Sequence, residues 1–407
     1  MKLFITEVAV VALLFGAAGA AHADDSRSDF KFELHGFVGA SGYVQDTPGF
    51  YLNGQGPLLL TNEPSSSGTT TGFDVRQTRL NFSVAGPTIL NGATPKGVVE
   101  IDFFNLQGPG GYGEVSAVPR LRLAYGEFNW GDTVVHVGQD WELLFVDQPA
   151  SLGHMAYPVT FYSGSVFWRE PGVSVFHTIE TGSSKLEVSG QVLKSDWESP
   201  TNGGAVANYP NADLGQLSGV PGVEARVKWT DEAKNDAYIA GHWNKVDASH
   251  AGGLPVAQTP SRDFSVVVGK VGGQYQLANF TLKGELYTGK NLAPLYGEQG
   301  QFLTASDVHE SGGWAQLSYQ ICPEYSAHVL YGTSRSSVSD VQAAGGNRYQ
   351  SSVYGGMVEY KVGAFAMGPE FYHVVGKQLN GTSSNNTGAA DGVLDGNQYM
   401  LTAEYFF

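Results

Sequence analysis

The amino-acid sequence predicts an all-β protein, a transmembrane antiparallel β-barrel of about sixteen strands with a long third loop folded into its lumen; eighteen strands is the alternative. Three observations predict it. Apolar and polar residues alternate in segments of roughly ten residues. Long and short connections between those segments alternate along the whole chain. The last segment is amphipathic up to a terminal phenylalanine, Phe407. The alternation is clear in Val223, Ala225, Val227 and Trp229, which are separated by Glu224, Arg226 and Lys228. A soluble sheet with one wet face has the same pattern, but its apolar face must be covered by another layer. No amphipathic helix long enough to cover it is visible, so the apolar face is expected to meet lipid.

The elements follow in chain order. Met1-Lys2, the apolar run from Val8 to Ala20 and Ala21-His22-Ala23 before Asp24-Asp25 have the layout of a secretory leader, atypical only at Glu7. Residues 1–23 are therefore expected to be removed near Ala23, leaving 24–407 as one barrel domain. Strands are predicted at 32–44, 73–85, 97–105, 120–130, 133–139, 165–179, 185–193 and 220–229 in the first half. The second half adds 235–246, 264–275, 280–288, 314–321, 325–333, 349–362, 365–375 and 397–407. Pro171 inside 165–179 predicts a bulge or a break there. An even strand count puts both ends of the chain on the side of the short turns.

Composition supports a lipid-facing band. Charged residues make up 15%, against about 25% in soluble domains, and the chain holds 54 Gly, 20 Tyr and 22 Phe. No run of 18 apolar residues predicts a spanning helix. Cys322 is the single cysteine, which excludes an intrachain disulfide. The formal charge of −16 disfavours nucleic-acid partners. Tyr399, Leu401, Ala403, Tyr405 and Phe407 share one face of the last segment. Tyr405 and Phe407 are expected to carry the signal read by the bacterial barrel-assembly machinery.

The stretch from Phe73 to Phe176 carries a resemblance. Gly72-Phe73-Asp74-Val75-Arg76-Gln77-Thr78-Arg79-Leu80, then Val99-Glu100-Ile101-Asp102-Phe103-Phe104, then Arg120-Leu121-Arg122-Leu123-Ala124-Tyr125-Gly126 and Val137-Gly138-Gln139-Asp140-Trp141 stand in that order. These segments resemble the DcaP-like branch of the general porins of Gram-negative bacteria; the remainder resembles a generic barrel. Asp140 departs from the family's usual Thr or Ser. The resemblance implies an outer-membrane homotrimer that passes small polar solutes and ions by diffusion, with small dicarboxylates as one substrate class, and no cofactor.

Lumen-facing charges filter solutes in such barrels. Strand parity points Glu100 and Asp102 inward between outward Val99, Ile101 and Phe103. It likewise points Arg120 and Arg122 inward, between an outward Leu121, Leu123 and Tyr125. Gln77, Arg79, Asn81 and Ser83 lie on the polar face of the neighbouring strand. Arg226, Lys228, Lys283 and Glu285 are inward by the same parity. The connection 140–164 is expected to fold inward, carrying Asp140, Glu142, Asp147 and His154, with Trp141, Phe145 and Tyr157 as anchors. The pore set is thus Arg79, Glu100, Asp102, Arg120, Arg122, Asp140, Asp147, Arg226 and Lys228. Whether these charges filter solutes or merely pair with one another is left open, and so is the ion preference.

Other motifs carry less. Gly108-Pro109-Gly110-Gly111-Tyr112-Gly113 spells a dinucleotide loop but lacks the following helix, so it is read as a loop. Asp391-Gly392 and Asp395-Gly396-Asn397 lack full calcium-loop spacing. The chain is read as a channel rather than an enzyme. The competing readings are a barrel-based hydrolase, for which His136 and His177 have no evident serine, and an adhesive barrel without conductance.

Overall fold

The computed structural model describes residues 29–47, 49–61, 68–106, 117–197, 212–250, 263–380 and 389–407. The expected leader, its cleavage site and the Gly108–Gly113 loop lie outside the described residues.

The alternating segments form strands because their side chains point by turns to the interior and to the outer wall, most regularly in Asp236–Asp247 and Tyr325–Ser336. They are β1 Lys31–Gln45, β2 Thr70–Asp74, β3 Arg79–Ala85, β4 Thr94–Leu106, β5 Ala117–Asn129, β6 Thr133–Trp141, β7 Arg169–Glu180 and β8 Ser184–Leu193. They continue as β9 Gly222–Asp231, β10 Asp236–Asp247, β11 Asp263–Leu277, β12 Phe280–Lys290, β13 His309–Cys322, β14 Tyr325–Ser336, β15 Arg348–Val362, β16 Phe365–Asn380 and β17 Ala389–Phe406. From β3 onward each strand pairs antiparallel with the next, and β17 pairs back onto β1 from Phe37↔Phe406 to Gln45↔Gln398. β2 and β3 both lie along β1 and share one place in the ring, so 17 strands fill the sixteen positions that the sequence predicts. The ring is closed and has no free edge to satisfy.

The break between β2 and β3 has a local cause. The Asp74 carboxylate accepts from the Arg76 backbone N–H at 3.0 Å, Nε at 2.9 Å and Nη2 at 2.7 Å. That captures the backbone in a turn, closed by Thr78 N–H on the Val75 carbonyl. Pro171, by contrast, neither breaks nor bulges β7, contrary to expectation. Its carbonyl accepts from Lys194 N just beyond β8, so only a terminal ladder bond lacks its donor. β7 also begins at Arg169, and residues 165–168 belong to the preceding loop.

A second correction concerns β5. Glu100 pairs with Leu123 and Ile101 with Leu121, so Arg122 is the extra residue of a β-bulge. The bulge keeps Arg120 and Arg122 inward but turns Leu123 and Tyr125 inward too, where Leu123 is buried and Tyr125 stacks on His136. Gln139, on the opposite face, donates Nε2 to the Arg122 carbonyl at 2.8 Å and the Leu121 carbonyl at 3.3 Å.

The outer wall shows Val223, Val227, Trp229, Ile239, Leu282, Leu286, Val329, Tyr331, Tyr399, Leu401 and Tyr405 to the surroundings. The inner wall buries Ser41, Gln77, Asp102, Gln316, Gln398 and Thr402. Arg or Lys at the lipid midplane would cost about 2–4 kcal/mol, which is why the charges follow the inner parity. Among the described residues no helix is long and apolar enough to cross a membrane. The chain end is tied in by reciprocal backbone bonds of 3.1 Å between Gly36 and Phe407.

Candidate functional site

Residues 142–168 fold into the barrel and travel round its inner wall. Their apolar side chains drive this: Leu143, Leu144, Val159, Phe161, Val166 and Phe167 are each 0–1% exposed. Polar wall residues catch the backbone along the way. Arg226 Nη1 donates to the carbonyls of Leu143 and Phe145 at 3.1 Å, and Lys270 Nζ to that of Leu144 at 2.9 Å. Gln316 meets Ala150 through both backbone groups, and Glu370 accepts from Gly153 N–H at 2.6 Å. His154 Nε2 donates to Gln398 Oε1 at 2.7 Å, and Arg79 Nη2 to the Met155 carbonyl at 3.0 Å. The loop therefore touches strands on nearly every side of the ring. His154, which loop position alone would suggest to be solvated, is buried.

Two further loops join it. Residues 49–61 bring buried Leu58, Leu59 and Leu60, and residues 291–308 bring Leu292, Leu295 and Tyr296. The Phe161 and Tyr296 rings stack at 4.2 Å, and Tyr162 N–H donates to the Tyr296 carbonyl. The long connections thus share an apolar core inside the polar barrel wall.

The wall formed by β3, β4 and β5 holds the charged cluster. Arg122 Nε lies 2.6 Å from Glu100 Oε1 and its Nη1 2.8 Å from Asp102 Oδ2. Arg120 grips Asp102 with Nε at 2.9 Å and Nη2 at 2.6 Å, and its Nη1 donates to Tyr157 Oη. Arg79 Nε is 3.7 Å from Glu100. Arg169, at the loop's return, joins through aromatic rings. Its guanidinium carbon lies 4.7 Å from the Trp141 centroid and 4.2 Å from that of Trp168. Arg122 shares the Trp141 ring at 5.6 Å, and Arg120 shares Trp168 at 5.8 Å. Four guanidinium groups (79, 120, 122, 169) therefore stand beside two carboxylates (100, 102). Arg79 Nε, Arg122 Nη2 and Arg169 Nη1 are buried with no hydrogen-bond acceptor among the described residues. Each such donor costs about 1–3 kcal/mol while it stays unmet.

The other expected residues are placed elsewhere. Asp140 belongs to β6 rather than the loop, and pairs with His136 Nδ1 at 2.6 Å, while Glu127 takes the other ring nitrogen at 3.2 Å. Asp147 meets Lys283 at 3.0 Å, Arg226 meets Glu187 at 2.8 Å, and Lys228 meets Asp236 at 3.6 Å. Glu285 pairs with buried Lys270 at 2.8 Å. Trp141, Phe145 and Tyr157 do anchor the loop: Trp141 stacks on Phe145 at 4.3 Å, and Tyr157 meets Phe104 edge-on at 5.1 Å. The sequence reading missed Arg169, Trp168 and the two accessory loops. Parity with Val173 and Val175 points Arg169 outward, yet the chain turns at the junction of loop and strand and carries it in.

No protein-family model matches the chain, and no curated protein matches it in sequence. Solved structures do match in fold. The outer membrane channel DcaP of Acinetobacter baumannii superposes with a TM-score of 0.66 at 14% identity, covering 94% of this chain and 99% of that one. OmpF of Salmonella typhi, in complex with daunomycin, gives 0.55 at 14% identity, over 93% and 98%. The trimer form of OmpT, an outer membrane protein of Vibrio cholerae, gives 0.54 at 12% identity, over 93% and 100%. A closed ring of sixteen positions, an inward third loop and these likenesses agree: the chain has the fold of the outer-membrane porins, DcaP among them.

Proposed function

We propose that this protein is a passive diffusion channel of the outer membrane, a homotrimer exported with cleavage near Ala23, whose lumen passes small hydrophilic solutes and ions and favours small dicarboxylates. The observation that carries the anionic preference is the excess of guanidinium over carboxylate at Arg79, Arg120, Arg122 and Arg169, with buried donors still unmet. A carboxylate accepts paired N–H groups from arginine in a geometry that a chloride ion or a neutral solute reproduces less well. Glu100 and Asp102 hold Arg120 and Arg122 in place rather than cancel the cluster. Asp140, Asp147, Arg226 and Lys228 set the lumen field away from it. The outer apolar wall meets lipid, and the tied terminal strand with Tyr405 and Phe407 suits recognition by the barrel-assembly machinery.

The test is the reversal potential of the purified protein in planar bilayers under a KCl gradient, with succinate added as a competing blocker. Chloride preference with succinate block supports the reading. Cation preference without block overturns the dicarboxylate assignment, and absence of conductance overturns the channel.

A further inference from the structure

We propose that Glu142, Glu224 and His242 form a binding site for a first-row divalent cation that pins the neck of the loop 142–168 to the barrel wall. One ligand atom from each residue lies within 4.8 Å of the others. All three residues are buried, at 2%, 5% and 6% exposure. One imidazole and two carboxylates are a donor set that suits Zn²⁺ or Mn²⁺.

The surroundings hold these donors as a metal site holds its ligands. Metal-binding imidazoles use their second nitrogen on a nearby acceptor, which fixes the ring. His242 Nε2 lies 2.8 Å from Asn244 Oδ1, while Nδ1 faces Glu224 Oε1 at 2.7 Å. Asn244 is itself oriented, donating Nδ2 to the Asp196 carbonyl at 3.2 Å. Each carboxylate spends one oxygen on a backbone amide. Glu224 Oε2 accepts from Leu143 N–H, and Glu142 Oε2 from Trp168 N–H at 2.8 Å. The second oxygen of Glu224 is thereby aimed at the imidazole.

The location gives the site a consequence. Glu142 N–H also donates to the Trp168 carbonyl at 3.1 Å, so Glu142 closes the two ends of the loop on each other. Glu224 and His242 belong to β9 and β10. A cation shared among the three would cross-link the loop's neck to two wall strands. It would also offset two carboxylates that burial otherwise disfavours.

The full chain, folded in detergent and stripped with EDTA, is titrated with ZnCl₂, and bound metal is measured after desalting. The expected result is about one Zn²⁺ per chain, released by chelator and by acid as the donors protonate. His242→Ala and Glu224→Gln are expected to abolish uptake, and His309→Ala, at a surface histidine, to retain it. Asn244→Leu leaves all three donors in place and is expected to weaken affinity about 10–100-fold. Co²⁺ added to the wild type gives a reading that needs no variant: a visible absorption of bound Co²⁺ that Zn²⁺ bleaches. Wild-type uptake no greater than that of folded His242→Ala, or no Co²⁺ absorption that Zn²⁺ displaces, overturns the proposal.

Discussion

Arg169 holds its guanidinium carbon 4.2 Å from the centre of the Trp168 ring, and no carboxylate among the described residues pairs with it. Arg122, in the same cluster, is clamped by Glu100 and Asp102. Substituting the two should therefore give different results. Arg169→Gln removes a cation without stranding an anion, so thermal stability should change little while anion preference falls. A change of about 1 kcal/mol, the aqueous value for charges 4 Å apart, is about fivefold in the permeability ratio. Arg122→Gln takes from buried Glu100 its nearest cation, leaving Arg79 at 3.7 Å, while Asp102 keeps Arg120, so stability should fall by about 3 kcal/mol, the low end for a broken buried ion pair. Reversal potentials and thermal unfolding of the folded barrels separate the two. Equal losses of stability would show that Arg169 serves packing rather than selectivity.

The loop's hold on the far wall rests heavily on Glu370. Its carboxylate accepts from the Ser151 hydroxyl, from Gly153 N–H at 2.6 Å and from the Tyr372 hydroxyl at 2.8 Å. Bonds to a charged acceptor contribute about 1.5–3 kcal/mol each. Glu370→Ala should free this section of the loop, raising single-channel conductance and current noise and exposing 150–155 to protease. Unchanged noise and protection would mean that the apolar core alone fixes the loop.

Acid should loosen the same segment through His154. Burial holds its imidazole below the ordinary value of 6.5, although the Glu370 charge and the bond to Gln398 act to raise it. A depressed base favours the neutral ring in the folded state. Its contribution is complete above the ordinary value and is lost as pH falls through the lower, folded-state value. Current noise should therefore rise as pH is taken down below 6.5, the ordinary value. His154→Gln, which keeps a donor for Gln398, should flatten the profile. A wild-type trace with no change over that range would exclude this contribution.

How much of this was legible in the sequence depended on how regular the chain is. Residues such as Val227 and Trp229 sit mid-strand with period two, so their outward placement followed from parity alone. Arg79, Glu100, Asp102, Arg120 and Arg122 were placed on the inner wall for the same reason, since charge is costly on the lipid side. Parity failed where the backbone leaves its two-residue repeat. The bulge at Arg122 inverted Leu123 and Tyr125, and the turn into β7 brought Arg169 inside. Leu58, Leu59 and Leu60 formed a short apolar run in a connection otherwise rich in Gly and Ser. Strand periodicity does not mark them as core, because it says nothing of what a loop packs against. His242 meets Glu142 only through loop closure, a contact 100 positions apart that no local pattern encodes.

The bulge should itself be open to test, because two outward or backbone features on β6 support it. Gly138 has φ +134°, and a Cβ there would run into the Ala124 carbonyl oxygen. Any other residue must move β6 away from β5. Gln139, its neighbour, donates its side-chain amide to the carbonyls of Leu121 and Arg122 at the bulge. Gln139→Leu should suit the lipid-facing side yet remove both side-chain bonds at the bulge, at a cost of about 1–3 kcal/mol. Gly138→Ala combines strain with a clash and should destabilise more. Both should weaken chloride preference, since Arg122 is the bulged residue and its orientation depends on that irregularity. The check is thermal unfolding together with reversal potential. Gly138→Ala matching the wild type in both would mean that the inward aim of Arg122 comes from Glu100 and Asp102 alone.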